Sequence, residues 1–518
     1  MTSRLATPAT YVTFFLLAAL APLRALRDYD YYWHLATGHW IHEHRALPRT
    51  DPFGAGSDPG PWINGEWLFQ FLLYPLHGLG GGVNAMVAAR ALFIGALFTL
   101  LLWWTHRATQ SLGVALAVCT LAWFGAVGFF SERPATFATA FVVVALGMVL
   151  RTAPPSAART TDNGQRTTPG PTNRQIILYA LLTIVWINFH PSALLAPVIA
   201  GLVGWNSRRG IVRAVVSALA LLVNPYGIEA ILAPQRLVHW VSTGPFVNRE
   251  WQPSSPAMFP LLYAMIAAGA VLFVWRRGEL ARALLFLFFS IMAIRYLRNQ
   301  AVFYVAWPLL VAPLLPRFDS ALLRRVLGFA SVAFMLTMLL TRDLETGIDE
   351  HVLPVHAAAE LQRLAPPGNI FAAGHFGGYL IWQFVGERRV VNDGRNELHK
   401  TLLTEYARAR QDPRVWRGIL QKYRITSALD AYQPPINGMA ASLVLYPRNE
   451  WALVAFDDAG MAFIRRDGRD LRGIEYQVLV PDDPERSYDA RAIPELQRVH
   501  RLVGGESAIV HRLAQKIR

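Results

Sequence analysis

The stretch Asp28-Tyr29-Asp30-Tyr31-Tyr32-Trp33-His34-Leu35-Ala36-Thr37-Gly38-His39-Trp40 follows directly on an apolar segment and indicates how the chain is folded. Residues from about 10 to 26 are almost free of charge and could cross a hydrocarbon core of roughly 30 Å. Two carboxylates and two imidazoles are therefore predicted to lie at a membrane surface. A carboxylate at that depth is costly unless it is paired or used, so Asp28 and Asp30 are candidates for a functional site.

The composition excludes an ordinary soluble enzyme, because 53% of the 518 residues are hydrophobic and only 16% are charged. A net charge of +14 would suggest nucleic acid in a soluble protein, but here many arginines flank apolar segments and set their orientation. The single cysteine, Cys119, cannot form an internal disulfide. The first apolar segment lacks a small-residue cleavage site and is predicted to be a retained anchor.

Apolar runs of helical length predict about eleven membrane-spanning helices. They lie near residues 10–26, 84–105, 111–130, 134–150, 176–189, 191–206, 211–223, 257–275, 280–294, 300–316 and 323–340. The segment from Glu66 to Leu79 is shorter and predicts an amphipathic helix on the membrane surface. With the N-terminus inside, the arginine-bearing connections fall on the cytoplasmic side, and the first loop faces outward.

The chain divides into two predicted domains. Residues 1–340 form the membrane domain, which includes a first extracytoplasmic loop at 27–82 and a flexible cytoplasmic linker at 151–175. Residues 341–518 have the composition of a globular extracytoplasmic domain. Strand-like runs at 369–373, 389–391 and 451–456 alternate there with helical stretches at 397–410 and 412–423, which is typical of a small α/β domain.

The first loop supports three interpretations. A surface helix from Tyr31 to His44 could simply place its aromatic rings at the headgroup level. Alternatively, Asp28 or Asp30 is a general base or a metal ligand at the outer mouth of the bundle. A zinc site is the third interpretation, although no recognised zinc spacing is present. Its ligands would come from His34, His39, His42 and His44.

Polar residues at the other outward turns are predicted to lie in the same layer. Each one alone is typical of a snorkelling or capping side chain, but several at one membrane face indicate a site. The candidates for lining it are His34, Glu66, Glu132, His190 and Glu250. Arg295 and Arg298 would suit a phosphate, because the guanidinium fork binds its oxygens in pairs.

Two glycine-containing motifs follow strand-like runs in the C-terminal part. They are Gly374-His375-Phe376-Gly377-Gly378 and Asn392-Asp393-Gly394-Arg395-Asn396. Such turns allow a ligand to approach closely, but their composition is more typical of ordinary turns. The G-x-G-x-x-G spacing is absent, and a nucleotide-binding role is disfavoured outside the cell membrane.

The layout resembles that of the C-type (GT-C) membrane glycosyltransferases, which carry an acidic residue in the first outward loop. The run from Asp30 to Thr37 is similar to the Asp-Pro-Tyr-Phe-x-Tyr-Arg-Ala-Thr loop of oligosaccharyltransferase catalytic subunits, with Asp30 in the place of the catalytic aspartate. Residues 79–90 resemble the second-span entry of protein mannosyltransferase-like and aminoarabinose-transferase-like members. The chain also resembles a group of bacterial polytopic membrane proteins without a settled substrate, through its motifs at 186–190, 224–227, 377–380 and 393–395.

This resemblance implies an enzyme that moves a sugar from a polyprenyl-phosphate donor to an envelope acceptor at the outer face of the bacterial cytoplasmic membrane. Asp30, or Asp28, would deprotonate the acceptor hydroxyl, and Arg298 or Arg295 would hold the leaving phosphate. The implied partners are the lipid-linked donor, membrane lipids and a glycan, lipid or protein acceptor, with no nucleic acid. The resemblance does not identify a cofactor, and a divalent metal ion (Mg²⁺ or Mn²⁺) is the candidate that it suggests.

Two features depart from the resemblance. A Trp-Trp-Asp-Tyr-Gly acceptor motif is absent, so transfer to peptide asparagine is not expected, and Glu132 stands where many relatives carry an aspartate. Two other classes of function remain open from the sequence. A transporter would use a polar path at mid-membrane, for example near residues 188–191, whereas a non-enzymatic scaffold for envelope assembly would act through its outer domain.

Overall fold

The computed structural model describes residues 2–150, 159–160, 166–167, 170–243, 248–277, 279–409, 412–504 and 506–517. Most of the predicted linker at 151–175 lies outside these residues. The described part of it contains a short antiparallel pair, β1 (Arg159–Thr160) and β2 (Arg166–Thr167).

Helices dominate the chain up to Thr341. They are α1 (Thr2–Leu20), α2 (Asp30–His44), α3 (Trp67–Gly78), α4 (Val83–Thr109), α5 (Leu112–Val127), α6 (Pro134–Val149), α7 (Asn173–Phe189), α8 (Leu195–Gly204), α9 (Arg208–Ala220), α10 (Glu229–Thr243), α11 (Pro260–Trp275), α12 (Leu280–Arg295), α13 (Gln300–Val311) and α14 (Ala321–Leu340). Each of the eleven predicted apolar segments coincides with one of these helices. The first helix ends at Leu20 instead of residue 26, because Pro22 disfavours helical backbone in the residue before it.

The number of membrane crossings stays a prediction. Among the described helices, α4 and α14 are long and apolar enough to cross a membrane, whereas five other apolar helices are shorter. With a rise of about 1.5 Å per residue, the 13 residues of α9 reach only about 20 Å. The sequence also did not predict α10, whose apolar run is interrupted by Pro234 and Arg236.

The exterior of the helical bundle is strongly apolar. Val274, Phe329 and Leu340 are 81%, 78% and 75% exposed, and many other large apolar side chains share this surface. Among the described residues after Thr341, only Leu344, Met439 and Ile493 are large, apolar and exposed. An apolar exterior confined to the bundle indicates that the bundle is the membrane-embedded part of the molecule.

The chain after Thr341 forms an α/β domain, here called the C-terminal domain. Its helices are α15 (Val355–Leu364), α16 (Gly377–Gln383), α17 (Lys400–Ala409), α18 (Pro413–Lys422), α19 (Ala441–Leu445), α20 (Ile493–Val503) and α21 (Ala508–Ala514). Its strands are β3 (Asn369–Ala372), β4 (Ile425–Ala431), β5 (Trp451–Phe456) and β6 (Gly460–Arg465). They form one sheet in the order β3-β4-β6-β5, with β3 and β4 parallel and the other neighbours antiparallel.

Not every predicted strand joins this sheet. The runs at 369–373 and 451–456 correspond to β3 and β5, whereas 389–391 does not form a named strand. Instead, Val390 makes isolated bridges to Ile370 and to Gly54 of the first loop. This segment therefore connects the C-terminal domain to the loop that follows α1.

The first loop and the C-terminal domain share a hydrophobic core. Tyr32 of α2 packs edge-on against Tyr379 of α16, with ring centroids 4.8 Å apart. At the start of the loop, the Leu26 amide donates to the Gly347 carbonyl at 2.8 Å, and Arg27 pairs with Asp349 at 2.6 Å. The loop is thereby enclosed between the bundle and the C-terminal domain.

Candidate functional site

A cavity of about 870 Å³ lies between the helical bundle and the C-terminal domain. The bundle side contributes the start of α2, the turn before α3, the start of α6 and parts of α10 and α13. The C-terminal domain contributes residues of both glycine-containing motifs. The charged residues among its lining are Asp30, Glu66, Arg133, Arg236, Arg249, Glu250, Arg298, Asp393, Arg395, Glu397 and Lys400.

Asp28 and Asp30 have different surroundings, which the Asp-x-Asp pattern alone could not predict, although the family resemblance favoured Asp30. Both oxygens of Asp28 are engaged, because Oδ1 accepts the Asp30 amide at 3.0 Å and Oδ2 accepts Arg133 Nε at 2.5 Å. Asp30 lines the cavity at the first turn of α2, with Oδ2 lying 3.3 Å from Arg133 Nη1. Its Oδ1 is buried and accepts no hydrogen bond of good geometry, so Asp30 has a free acceptor atom and Asp28 has none.

The environment of Asp30 sets its protonation. Burial raises the pKa of Asp30 to about 6, while Arg133 opposes this rise and Asp28 adds to it. The Trp33 indole lies near enough to lower this pKa slightly, but its N–H has no well-placed acceptor. A carboxyl group with a pKa near 6 is ionised at neutral pH and is still basic enough to accept a proton.

Arg133 lies at the centre of the acidic residues. Pro134 occupies the first turn of α6 and holds Arg133 in extended backbone just before the helix. Besides the two aspartates, Arg133 Nη1 contacts Glu250 Oε1 at 2.6 Å. Three carboxylates from two separate segments therefore converge on one guanidinium, and the sequence did not predict this role for Arg133.

Glu66 lies on the cavity wall between two histidines. Its Oε1 is 3.5 Å from His190 Nε2, and its Oε2 is 3.8 Å from His34 Nε2. Burial raises the pKa of Glu66 to about 8, and it lowers the pKa of His190 to about 3. At neutral pH this group is therefore a protonated carboxyl beside an uncharged imidazole.

The hydrogen bonds of these histidines disfavour a metal at this point. His190 Nδ1 accepts the Ser192 amide at 3.0 Å, and His34 Nδ1 faces the Gln70 side-chain amide at 3.2 Å. A histidine that ligates a metal usually donates its other ring N–H, whereas here the other nitrogen is an acceptor. The four histidines of the predicted zinc site do not form a ligand group among the described residues.

One described cluster does bring three ligand-type atoms within 4.8 Å of one another, namely Asp51, Asp393 and His399. However, these oxygens already accept hydrogen bonds from a guanidinium. Arg395 Nη1 and Nη2 donate to the two oxygens of Asp51 at 2.8 and 3.1 Å, and Nη2 donates to Asp393 Oδ2 at 2.7 Å. His399 Nε2 lies 2.9 Å from the same oxygen of Asp393. The donor set therefore fits the arginine that it holds and leaves no free oxygen pair for a metal ion.

The ion pairs of Arg395 with Asp51 and Asp393 link the first loop to the C-terminal domain. The Arg395 side chain is fully buried and also lies over the Trp62 ring at 4.9 Å. Burial raises the pKa of Asp393, but Arg395 and His399 outweigh it, so the pKa of Asp393 is far below its ordinary value. The pKa of Asp51 is lowered as well, chiefly by Arg395 against the effect of burial.

Glycines of the two C-terminal motifs allow the C-terminal domain to pack closely against the start of α2. A Cβ at Gly394 would lie 2.3 Å from Asp30 Oδ1, and a Cβ at Gly378 would lie 2.5 Å from the Tyr29 carbonyl oxygen. Gly377 is similarly tight against the Asn392 carbonyl at 2.0 Å. The motifs that resembled ordinary turns in the sequence therefore lie against the start of α2.

Arginine side chains are available on the bundle side of the cavity. Arg298 lines it, is exposed, and lies 4.5 Å above the Trp251 ring, which leaves its N–H groups free to meet an anion. Arg295 is exposed at the end of α12 and is not among the lining residues. Of the two phosphate candidates from the sequence, the structure brings only Arg298 to the cavity.

Of the remaining residues that were predicted to line the site, four line the cavity and one does not. His34, Glu66, His190 and Glu250 line the cavity. Glu132 does not, because it is buried behind Arg133 in an ion pair with Arg90. Burial raises the pKa of Glu132 to about 7, with Arg90 acting against the rise.

The fold is similar to that of solved oligosaccharyltransferases. The archaeal oligosaccharyltransferase AglB from Archaeoglobus fulgidus, in complex with an inhibitory peptide and a dolichol-phosphate, superimposes with a TM-score of 0.59 and 10% identity over 98% of this chain and 85% of that chain. The apo form of the Archaeoglobus fulgidus oligosaccharyltransferase gives a TM-score of 0.55 and 12% identity over 82% of this chain and 69% of that chain. No protein-family model and no curated protein sequence matches. The predicted resemblance to oligosaccharyltransferase catalytic subunits is thereby confirmed at the level of the fold.

Proposed function

We propose that this protein is a membrane glycosyltransferase that moves a sugar from a polyprenyl-phosphate donor to an acceptor hydroxyl group. The observation that carries the proposal is the cavity, where the Asp30 carboxyl group and the free guanidinium of Arg298 line one space. Such a transfer needs two groups from the protein, namely a base for the acceptor hydroxyl and an anion-binding group for the leaving phosphate. The likeness of fold to a protein solved with a dolichol-phosphate supports the class of donor.

The reaction would proceed as follows. The Asp30 carboxylate accepts the proton of the acceptor hydroxyl, and the acceptor oxygen forms a bond to the anomeric carbon of the sugar. The bond between that carbon and the phosphate oxygen breaks, and polyprenyl phosphate leaves with the electron pair. Arg298 holds the developing phosphate charge through its paired N–H groups.

The position of the cavity supports this assignment over the alternatives. A transporter would need a polar path at mid-membrane, whereas the ionisable lining here lies between the bundle and the C-terminal domain. A scaffold has no need for a buried carboxylate beside a large cavity. The C-terminal domain would face the outside of a bacterial cytoplasmic membrane, over the site at which donor and envelope acceptor meet.

The test is sugar transfer by the purified protein in lipid nanodiscs, with a panel of polyprenyl-phosphate hexoses and pentoses and with envelope glycans, lipids and proteins as acceptors. Release of polyprenyl phosphate is followed by mass spectrometry. Asp30→Asn is expected to lower transfer by about 10²- to 10⁴-fold, the usual contribution of a general base. Glu43→Gln, on the same helix with its side chain 62% exposed, is the matched control and should transfer normally. Unchanged transfer by a well-folded Asp30→Asn variant would remove Asp30 from this role.

A further inference from the structure

The guanidinium of Arg133 is surrounded by carboxylates in a way that an ordinary surface ion pair is not. Nε contacts Asp28 at 2.5 Å, and Nη1 is shared between Asp30 at 3.3 Å and Glu250 at 2.6 Å. The three carboxylates, here called the carboxylate triplet, come from the connection after α1, the first turn of α2 and the short 3-10 helix Arg249–Trp251. Arg133 itself precedes α6. Three stretches of the chain that are distant in sequence, at 28–30, 133 and 249–251, thus meet at one positive charge.

Oxygen ligands from several segments around one point form the kind of site that a hard divalent cation occupies. Three carboxylates held this close repel one another unless a positive charge lies between them. In this chain a side chain supplies that charge. The Arg133 side chain is 22% exposed and the Asp28 side chain only 6%, so the pairing is well shielded from water.

The other candidate cation positions of the described residues are already satisfied. Arg395 and His399 engage the oxygens of Asp51 and Asp393, and the histidines beside Glu66 use their second nitrogen as an acceptor. The carboxylate triplet includes Asp30 itself, and Arg133 contacts all three of its members.

We infer that Arg133 is a built-in cation, which takes the position of a divalent metal ion, orients Asp30 and allows transfer without any metal. The inference rests on the proposed glycosyl transfer for its catalytic part. It makes Arg133 a positioning residue, because its contacts are to Asp28, Asp30 and Glu250. Asp30 then pairs with Arg133 through Oδ2, and this contact holds its carboxylate at the cavity for the acceptor hydroxyl.

The first experiment compares metal dependence in the wild-type protein and in Arg133→Ala. Wild-type transfer should be unchanged after dialysis against EDTA, and electron paramagnetic resonance should detect no tightly bound Mn²⁺. Arg133→Ala vacates the carboxylate triplet, so it should lose about 10²- to 10³-fold in transfer and should bind one Mn²⁺. Added Mn²⁺ should then restore part of its activity. The double variant Arg133→Ala/Glu250→Gln should lose this Mn²⁺ binding.

Arg133→Gln provides a second variant if the alanine variant does not fold, because glutamine fills more of the space and carries no charge. Its transfer rate should fall, and the acidic limb of its pH profile should move to higher pH, since Arg133 lowers the pKa of Asp30. A purely structural role would lower the rate without moving this limb. Arg107→Gln, at the C-terminal end of α4, is the control.

Several outcomes would overturn the inference. Loss of wild-type transfer in EDTA with recovery in Mn²⁺ would show that a metal is required, and absence of Mn²⁺ binding by a folded Arg133→Ala variant would show that the triplet is no cation position. If the wild-type protein transfers a sugar from none of the donors tested, the proposed function is wrong. The Mn²⁺ titration of Arg133→Ala still decides the cation position in that case, because it needs no substrate.

Discussion

Gly394 of the C-terminal domain lies directly against Asp30 of the first loop, so that a Cβ at position 394 would stand 2.3 Å from Asp30 Oδ1. The absence of a side chain at position 394 is therefore what allows the C-terminal domain to approach Asp30 this closely. This contact joins residues that are more than 360 positions apart in the sequence.

Substitution of this glycine should inactivate the site. In Gly394→Ala the new methyl group must displace either the Asp30 carboxylate or the turn that carries Arg395, so we expect transfer to fall by at least about tenfold. Gly418→Ala is the control, because a Cβ at this α18 position meets nothing within 4 Å. Equal transfer by the two alanine variants would show that the residues around position 394 can accommodate a methyl group without loss of activity.

The pH dependence of transfer should follow the ionisation of Asp30. Burial raises the pKa of this carboxyl to about 6, and only the ionised form can accept a proton. The rate should therefore be constant near neutrality and fall as the pH drops through about 6. The measurement is kcat/KM from about pH 5 to about pH 9, which reports groups of the free enzyme. A limb near the ordinary aspartate value of about 4 would contradict the burial of Asp30.

Glu66 should behave as a neutral group at pH 7. Because burial raises its pKa to about 8, the uncharged isostere in Glu66→Gln should change transfer at pH 7 by less than about threefold, or under about 0.7 kcal/mol. Wild-type activity should change as the pH rises through about 8, whereas the variant should lack this transition. A large loss at pH 7 would instead indicate that the ionised carboxylate is needed.

Arg298 and Arg295 should differ in their effect on donor use. A lost hydrogen bond to a charged group costs about 1.5–3 kcal/mol, so Arg298→Ala should lower kcat/KM for the donor by about tenfold to about hundredfold. The kcat/KM of Arg298→Lys should lie between those of the wild-type protein and Arg298→Ala, since lysine keeps the positive charge but cannot donate two parallel N–H bonds. Arg295→Ala is the matched control, because Arg295 lies outside the cavity lining. A greater loss in the Arg295 variant would reverse the assignment.

Removal of Arg395 should destabilise the molecule. Arg395→Ala leaves Asp51 and Asp393 buried without their partner, which typically costs about 3–5 kcal/mol in the free energy of unfolding. The exposed Arg414→Ala should leave the unfolding midpoint unchanged. Because the pKa values of Asp51 and Asp393 are lowered in the folded protein, their stabilisation is present above the unfolded value of about 4 and is lost as the pH falls through the folded values. The unfolding midpoint of the wild-type protein should therefore decrease in acid, and that of the variant should decrease less.

The sequence predicted most of the helices, because an apolar run is a local signal. It also located the helix after Asp30 and the surface helix near Glu66 to within a few residues. It missed α10, whose apolar pattern is broken by Pro234. The residue pattern alone did not separate Asp28 from Asp30, although the family resemblance favoured Asp30. Only the three-dimensional positions of Arg133 and of the backbone amides decide which oxygen has no hydrogen-bond donor.

The C-terminal contribution to the site was the least predictable part. Gly394 and Arg395 belong to a motif that reads as an ordinary turn, and the sequence contains nothing local that links it to Asp30 or Asp51. The signal that was present is the pairing of two glycine-containing motifs with acidic and basic residues after successive strand-like runs. Contacts between residues more than 340 positions apart then turn these motifs into part of the site.

The pairing of Leu26 with Gly347 and Ile348 has a consequence for biosynthesis. A ribosome delivers Asp30 to the membrane early, but the partners that enclose it are synthesised more than 300 residues later. Until then the acidic loop is not packed against the C-terminal domain, and Asp51 has no ion pair with Arg395. The proposed site is thus completed only after the segment at 392–399 has been synthesised and translocated, and products truncated before it should insert without gaining activity.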